Sequence, residues 1–126
     1  MLYASSGTRT DVPIFARWRR LDRLPLPRGR DPHPGVYEVA DEKKQVIYVG
    51  QSARDVPTRL RQHLAAGSCV ADDGVFWRMA FSRVPQADEA ELIAVHLRRF
   101  GTVPSCNEAT PTQRDAMRRW RERSRG

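Results

Sequence analysis

The sequence predicts a compact α/β (α+β) domain, a small three-stranded antiparallel sheet flanked by helices, with basic helices added at the N- and C-terminal ends. Three observations predict it. GVYEVA (35–40) and QVIYVG (45–50) flank a polar DEKK turn as a hairpin would. FWRMAFSRV (76–84) supplies a third strand, which Pro85 ends. Between and after these runs, apolar residues recur every three to four positions, the helical period.

Taken in order, residues 1–10 are small and polar. Ile14, Phe15, Trp18 and Leu21 have helical spacing after Asp11, a capping residue, so 11–24 reads as a helix whose other faces carry Arg17, Arg19, Arg20 and Arg23. The Pro-rich segment PLPRGRDPHP (25–34) cannot continue it. In the hairpin, strict alternation puts Val36 and Glu38 on one face and Tyr37 and Val39 on the other. It sets Ile47 and Val49 against Val46 and Tyr48. A helix over about 58–66 carries Arg59, Arg61 and His63 and stops at Gly67. SCVADDG reads as loop. A helix over about 88–100 presents Ala90, Ile93, Leu97 and Phe100, and GTVPSCN connects it to a basic helix over about 112–123.

The bulk numbers restrict the partner. The chain has 126 residues, which suits one domain, and 40% of them are hydrophobic, enough for a core. Its net charge is +7 and its sequence pI near 10.4, which points to a polyanion, nucleic acid before membrane. Arg far outnumbers Lys, and guanidinium suits bidentate phosphate contact. No apolar run approaches ~18 residues, so no membrane span is expected. The first residues lack a secretory core, so the expected location is cytoplasmic. Cys69 and Cys106 form no CxxC pair, which argues against structural zinc. They read as reduced thiols, with a disulfide as the alternative.

Phosphodiester hydrolysis needs a deprotonated water, neutralised charge on the phosphorane-like transition state and a stabilised leaving oxygen. The residues for this fall in a suggestive order. Tyr37 and Tyr48 lie in the hairpin, and Arg59 and His63, four apart, share one face of the next helix. Glu89 and Glu91 open the following long helix, and Asn107 stands three residues after Pro104. Each taken alone has a plainer reading. The tyrosines would be packing aromatics, Arg59 a solvated helix residue, Glu91 a surface acid near a helix N-terminus and Asn107 a turn residue. His96 reads as structural, His33 as exposed, and Trp18, Trp77 and Trp120 as packing residues, although Trp120 beside arginines could stack on bases.

Together, GVY at 35–37, YVG at 48–50, the Arg59-x-x-x-His63 helix and Pro104-x-x-Asn107 resemble the GIY-YIG nuclease superfamily. The tyrosines are eleven apart, close to the usual separation, and the resemblance covers roughly 35–107. It implies a GIY-YIG-like catalytic domain over 34–108, an N-terminal extension over 1–33 and a basic C-terminal helix over 109–126. It implies a metal-dependent DNA endonuclease using one Mg²⁺ or Mn²⁺ ion. Tyr37 and Tyr48 would line the site, with Tyr37 positioning or deprotonating water. Arg59 would bind the scissile phosphate, His63 would transfer protons or hold a tyrosine hydroxyl, and Asn107 would brace the site. Gly50 would leave room for substrate backbone, and Gln51 and Arg61 would join the substrate-binding surface.

Two departures follow. Gln51 stands where many members have Lys. The family's spacing puts the metal-binding glutamate near Ala94, and Glu91, about one turn away on the same face, is the nearer acid. Glu89, about 160° round the helix from Glu91, is the weaker candidate. A degenerate module that binds nucleic acid without cutting is the alternative function, and a basic module for an acidic protein partner is a third. The expected substrate is DNA, with branched and single-stranded forms among the options, and its structure specificity and the oligomeric state stay open.

Overall fold

The computed structural model describes residues 14–26 and 31–107. Their elements are β1 (Arg19–Arg20), a 3-10 turn at Leu21–Arg23, β2 (Gly35–Ala40), β3 (Val46–Ser52), α1 (Val56–Ala65), α2 (Cys69–Asp73), β4 (Phe76–Phe81), α3 (Pro85–Phe100) and a 3-10 turn at Ser105–Asn107. The sheet has four strands in the order β1-β4-β2-β3, and every neighbouring pair is antiparallel. The mixed α/β class is the one the sequence predicts. The strand count is not.

The fourth strand replaces much of the helix expected over 11–24. From Ile14 onward the chain is extended, then a two-residue strand, then a 3-10 turn. The reason is tertiary. Ile14 and Leu21 would share a face of a helix. Here they enter different cores, Ile14 beside Val36, Val49 and Leu92 on one side of the sheet, Leu21 beside Tyr37 and Trp77 on the other. Only an extended chain wrapped round the free edge of β4 reaches both. Arg19 and Arg20 pair with Trp77 and Phe76, and their guanidinium groups lie 4.9 and 5.8 Å from those ring centroids. The helix expected over 112–123 lies outside the described residues.

The hairpin carries a bulge. Val39 pairs with Tyr48 but Ala40 with Val46, so Ile47 is an extra residue in β3. Strict alternation therefore fails there. Ile47 joins the Tyr37 side and Val46 the Val49 side, the reverse of the sequence reading. The same bulge keeps Tyr48 and Tyr37 on one face.

Helices α1 and α2 cover that face. Asp55 caps α1, accepting from the Thr58 backbone N–H at 3.1 Å, and Pro57 occupies the first turn, where a missing N–H costs nothing. The short helix α2 falls where SCVADDG reads as loop. Ser68 caps it by accepting from Ala71 N–H at 3.3 Å. Cys69 at its start and Cys106 in the second 3-10 turn form a disulfide across 37 residues, which corrects the reduced-thiol expectation. Both face the Tyr37-side core with Cα atoms 5.7 Å apart, a separation a disulfide spans. Helix α3 packs on the opposite face through Leu92 and Ile93 and ends at Gly101, whose left-handed φ of 80° lets its N–H bond Leu97 O. No helix among the described residues is long and apolar enough to cross a membrane.

Candidate active site

The site forms where α1 lies over the hairpin. Tyr37 is fully buried, and its ring lies across Gly50 of the neighbouring strand. A Cβ on Gly50 would collide with Cζ and Oη of Tyr37 and stand 2.8 Å from Cε2 of Tyr48. Gly50 thus makes room for the tyrosine pair itself. His63 completes an aromatic cluster, with ring centroids 5.1 Å from Tyr48 and 6.5 Å from Tyr37. Its Nε2 is 3.1 Å from Tyr37 Oη, and the Tyr48 hydroxyl also hydrogen-bonds Tyr37. Tyr37 Oη therefore sits between two partners in a chain from Tyr48 to His63.

The electrostatics divide the roles. Burial drives the Tyr37 hydroxyl far above its ordinary value; the neighbouring Tyr48 and Glu89 add to this, and Arg59 opposes it. Burial thus favours the protonated phenol at Tyr37. His63 is held below its ordinary 6.5, first by burial and then by Arg59, so its imidazole is neutral at neutral pH and can accept a proton. Arg59 is exposed, and Nη1 donates to Gln62 Oε1 at 3.2 Å.

The acid in this field is Glu89. Its charge is felt at Tyr37, it lies within the field of Arg59, and partial burial raises its carboxyl above the ordinary 4.5. Glu91 occupies another face of α3, where its carboxylate is 3.7 Å from Arg98. The buried side of α3 is not the stripe the sequence predicts. Leu97 and Phe100 are exposed, while Asp88 and Leu92 are buried. Glu89 precedes Leu92 by three residues and shares its side of the helix. The Ser82 hydroxyl donates to Asp88 Oδ2 at 2.6 Å and accepts from Val84 N–H at 3.0 Å, which fixes the start of α3 and the residue beside it. The sequence signal for Glu89 is its i, i+3 relation to Leu92, whereas the preference for Glu91 rests on the family's spacing to Ala94.

The remaining candidates separate. Asn107 Oδ1 accepts from Val49 N–H at 2.6 Å, and its Nδ2 donates to Val49 C=O at 2.8 Å. One side chain thereby satisfies both outward groups of edge strand β3 between the two motif residues Tyr48 and Gly50. Gln51 lines an open groove with Ser52, Arg54 and the start of α3. Arg61 is turned about 200° from Arg59 by helix geometry. Its two terminal nitrogens are buried, with no hydrogen-bond partner among the described residues. A larger groove of about 930 Å³ lies on the other face of the sheet, lined by Glu38, Arg78, His96 and Arg99 among others. The Arg78–Glu38 pair at 2.8 Å and the stacking of Arg78 on Trp18 at 4.1 Å hold its floor. None of the tyrosine-site residues lines it.

Among known protein families, the model of the GIY-YIG catalytic domain matches residues 33–92. The match supports the GIY-YIG nuclease superfamily for these residues. The matched span runs from His33, before β2, to Leu92 in α3, and contains both tyrosines, Arg59, His63 and Glu89. GIY-YIG nucleases act on DNA. No curated protein and no solved structure matches the chain significantly.

Proposed function

We propose that this GIY-YIG protein is a metal-dependent endonuclease that hydrolyses DNA phosphodiester bonds. The observation that carries the reading is the Tyr37–His63 hydrogen bond of 3.1 Å beneath the helix that also bears Arg59, with Glu89 electrostatically coupled to Arg59 and Tyr37. Among the described residues no three His, Cys, Asp or Glu side chains converge, so no closed protein cage for a metal exists. The single carboxylate fits a hard ion such as Mg²⁺ or Mn²⁺, which keeps waters and takes further oxygens from phosphate. Glu89 would hold it, and when bound it would supply Lewis-acid polarisation and charge neutralisation at the phosphate.

The rest follows from the chain's own groups. Arg59 projects from an exposed position on α1 and binds the scissile phosphate, strengthening as charge builds in the transition state. Tyr48, half-buried and nearer solvent than Tyr37, presents the outer hydroxyl of the hydrogen-bonded chain. A proton can move along the hydrogen-bonded chain of Tyr48 Oη, Tyr37 Oη and His63 Nε2, each hydroxyl releasing its own proton as it gains one. Tyr37 thus relays rather than abstracts. Asn107 and Gly50 hold β3 and the ring pair in place.

The test is incubation of purified protein with supercoiled DNA, with and without Mg²⁺ or Mn²⁺. The expected result is nicking or linearisation with either metal, none with chelator, and a loss of roughly 10²-fold or more in Arg59→Ala. Failure to cut supercoiled, linear, branched or single-stranded DNA would leave the protein as a binding module.

A further inference from the structure

An aromatic pair stands outside the tyrosine cluster, at the end of the sheet. Phe81 closes β4 and is 54% exposed. It pairs with Gly35, two residues from the Tyr37–Met79 pair, so strand alternation places it on the Tyr37 face. The diagonal between such positions is about 7–8 Å. His33 lies beside it, ring centroids 5.3 Å apart and planes tilted by 41°.

This pair is mounted rigidly. His33 N–H donates to Asp55 Oδ1 at 2.8 Å, its carbonyl accepts from Val56 N–H at 2.8 Å, and its Nδ1 is bonded to Asp31 O at 2.7 Å. Asp55 also caps α1, which carries Arg59. The rings and the phosphate-binding guanidinium are therefore anchored to the same helix end. An open groove lies nearby. It runs between the β4–α3 corner that follows Phe81, at Val84 and Gln86, and the end of β3 at Gln51, Ser52 and Arg54. Gln51 adjoins Gly50 of the site. Arg54 and Arg83 are exposed at this end, so the surroundings favour a phosphate backbone while the exposed ring favours an apolar, flat ligand.

Paired bases in a duplex have no free face to offer an exposed ring; an unpaired base does. We propose that Phe81, backed by His33, is a stacking platform for an unpaired DNA base flanking the scissile phosphate, and that it biases the protein towards DNA with a single-stranded flank. Stacking accepts any base, so the selection is for structure rather than sequence. The position of the scissile phosphate rests on the endonuclease reading above.

The experiment compares a duplex bearing a single-stranded flap with a fully paired duplex of equal length. Binding is read by fluorescence anisotropy in chelator, cleavage is read in Mg²⁺, and 2-aminopurine at the first unpaired position reports stacking. The variants are Phe81→Ala, Phe81→Leu and Phe81→Tyr. The wild-type protein is expected to prefer the flap and quench the 2-aminopurine. Phe81→Ala and Phe81→Leu should each lose roughly 10-fold in flap affinity and the quenching, while duplex affinity is kept, and Phe81→Tyr should retain all three. Equal weakening on both DNAs, no weakening, or a Leu variant that behaves like Phe would overturn the platform. Flap preference that depends on Phe81 without any cleavage would keep the platform and sink the nuclease reading. Cleavage indifferent to Phe81 would do the reverse.

Discussion

Glu89 and Glu91 differ by two positions in sequence and by about 160° round α3. That rotation separates an acid in the field of Arg59 and Tyr37 from one beside Arg98. The Glu91–Arg98 contact is a surface pair worth at most about 1 kcal/mol, so it neither organises the site nor stabilises the fold much. Tyr37 is equally specific in what it can do. Tyr37→Phe keeps the ring over Gly50 but breaks the chain from Tyr48 to His63, so the chemical step should slow by roughly 10²-fold with little change in melting temperature. Single-turnover kinetics and a thermal melt separate the two effects. Gly50→Ala should do the opposite, because its methyl collides with the Tyr37 ring; overpacking of this kind costs about 1–3 kcal/mol, readable in urea unfolding. Two groups set the acid side of the pH–rate profile. Glu89 must be ionised and titrates above 4.5, while His63 must be neutral and titrates below 6.5, so activity rises with pH through both values. His63→Gln should remove the histidine limb and leave the glutamate limb, at a lower rate overall. A profile unchanged by that substitution would place the proton elsewhere.

Two elements carry the site and were read from sequence with unequal success. The hairpin and α1 were legible because alternation, the polar turn, Gly67 and the Arg59–His63 spacing are local signals. The elements misread are those whose form is decided by distant partners. The segment containing Ile14 and Leu21 has helical spacing, yet two cores on opposite sides of the sheet pull it into an extended edge strand. The phase of α3 was misjudged because a buried Asp88, bonded to Ser82, sits where the sequence shows only another charge. The disulfide is only the alternative reading of the sequence because 37 residues separate its ends. That bridge ties α2 to the 3-10 turn bearing Asn107, and Ser68 in turn donates to the His63 carbonyl at 2.9 Å. Closing a loop of this length stabilises by about 4 kcal/mol at most in the chain-entropy model. Reduction, or Cys69→Ser with Cys106→Ala, should therefore lower urea stability by about 2–4 kcal/mol. A stability unchanged by reducing agent would show that the bridge contributes nothing.

At the scale of the whole molecule, a net charge of +7 on 126 residues sets the approach to DNA before any local contact forms. The exposed arginines Arg54, Arg59 and Arg83 gather about the end of the sheet that holds the site. If these three neutralise phosphates, binding in chelator should weaken with salt at a logarithmic slope of about −2.7, and Arg54→Ala should reduce that slope by about one. A flat salt dependence would mean that charge does not drive the association. Binding alone does not establish cutting, which depends on the carboxylate opposite Arg59. The most direct test is single-turnover cleavage of DNA in Mg²⁺ by Glu89→Gln and Glu91→Gln side by side. Glu89→Gln should lose roughly 10²-fold or more, while Glu91→Gln stays close to the unsubstituted protein. Retained cleavage in Glu89→Gln, with loss in Glu91→Gln, would contradict the site described.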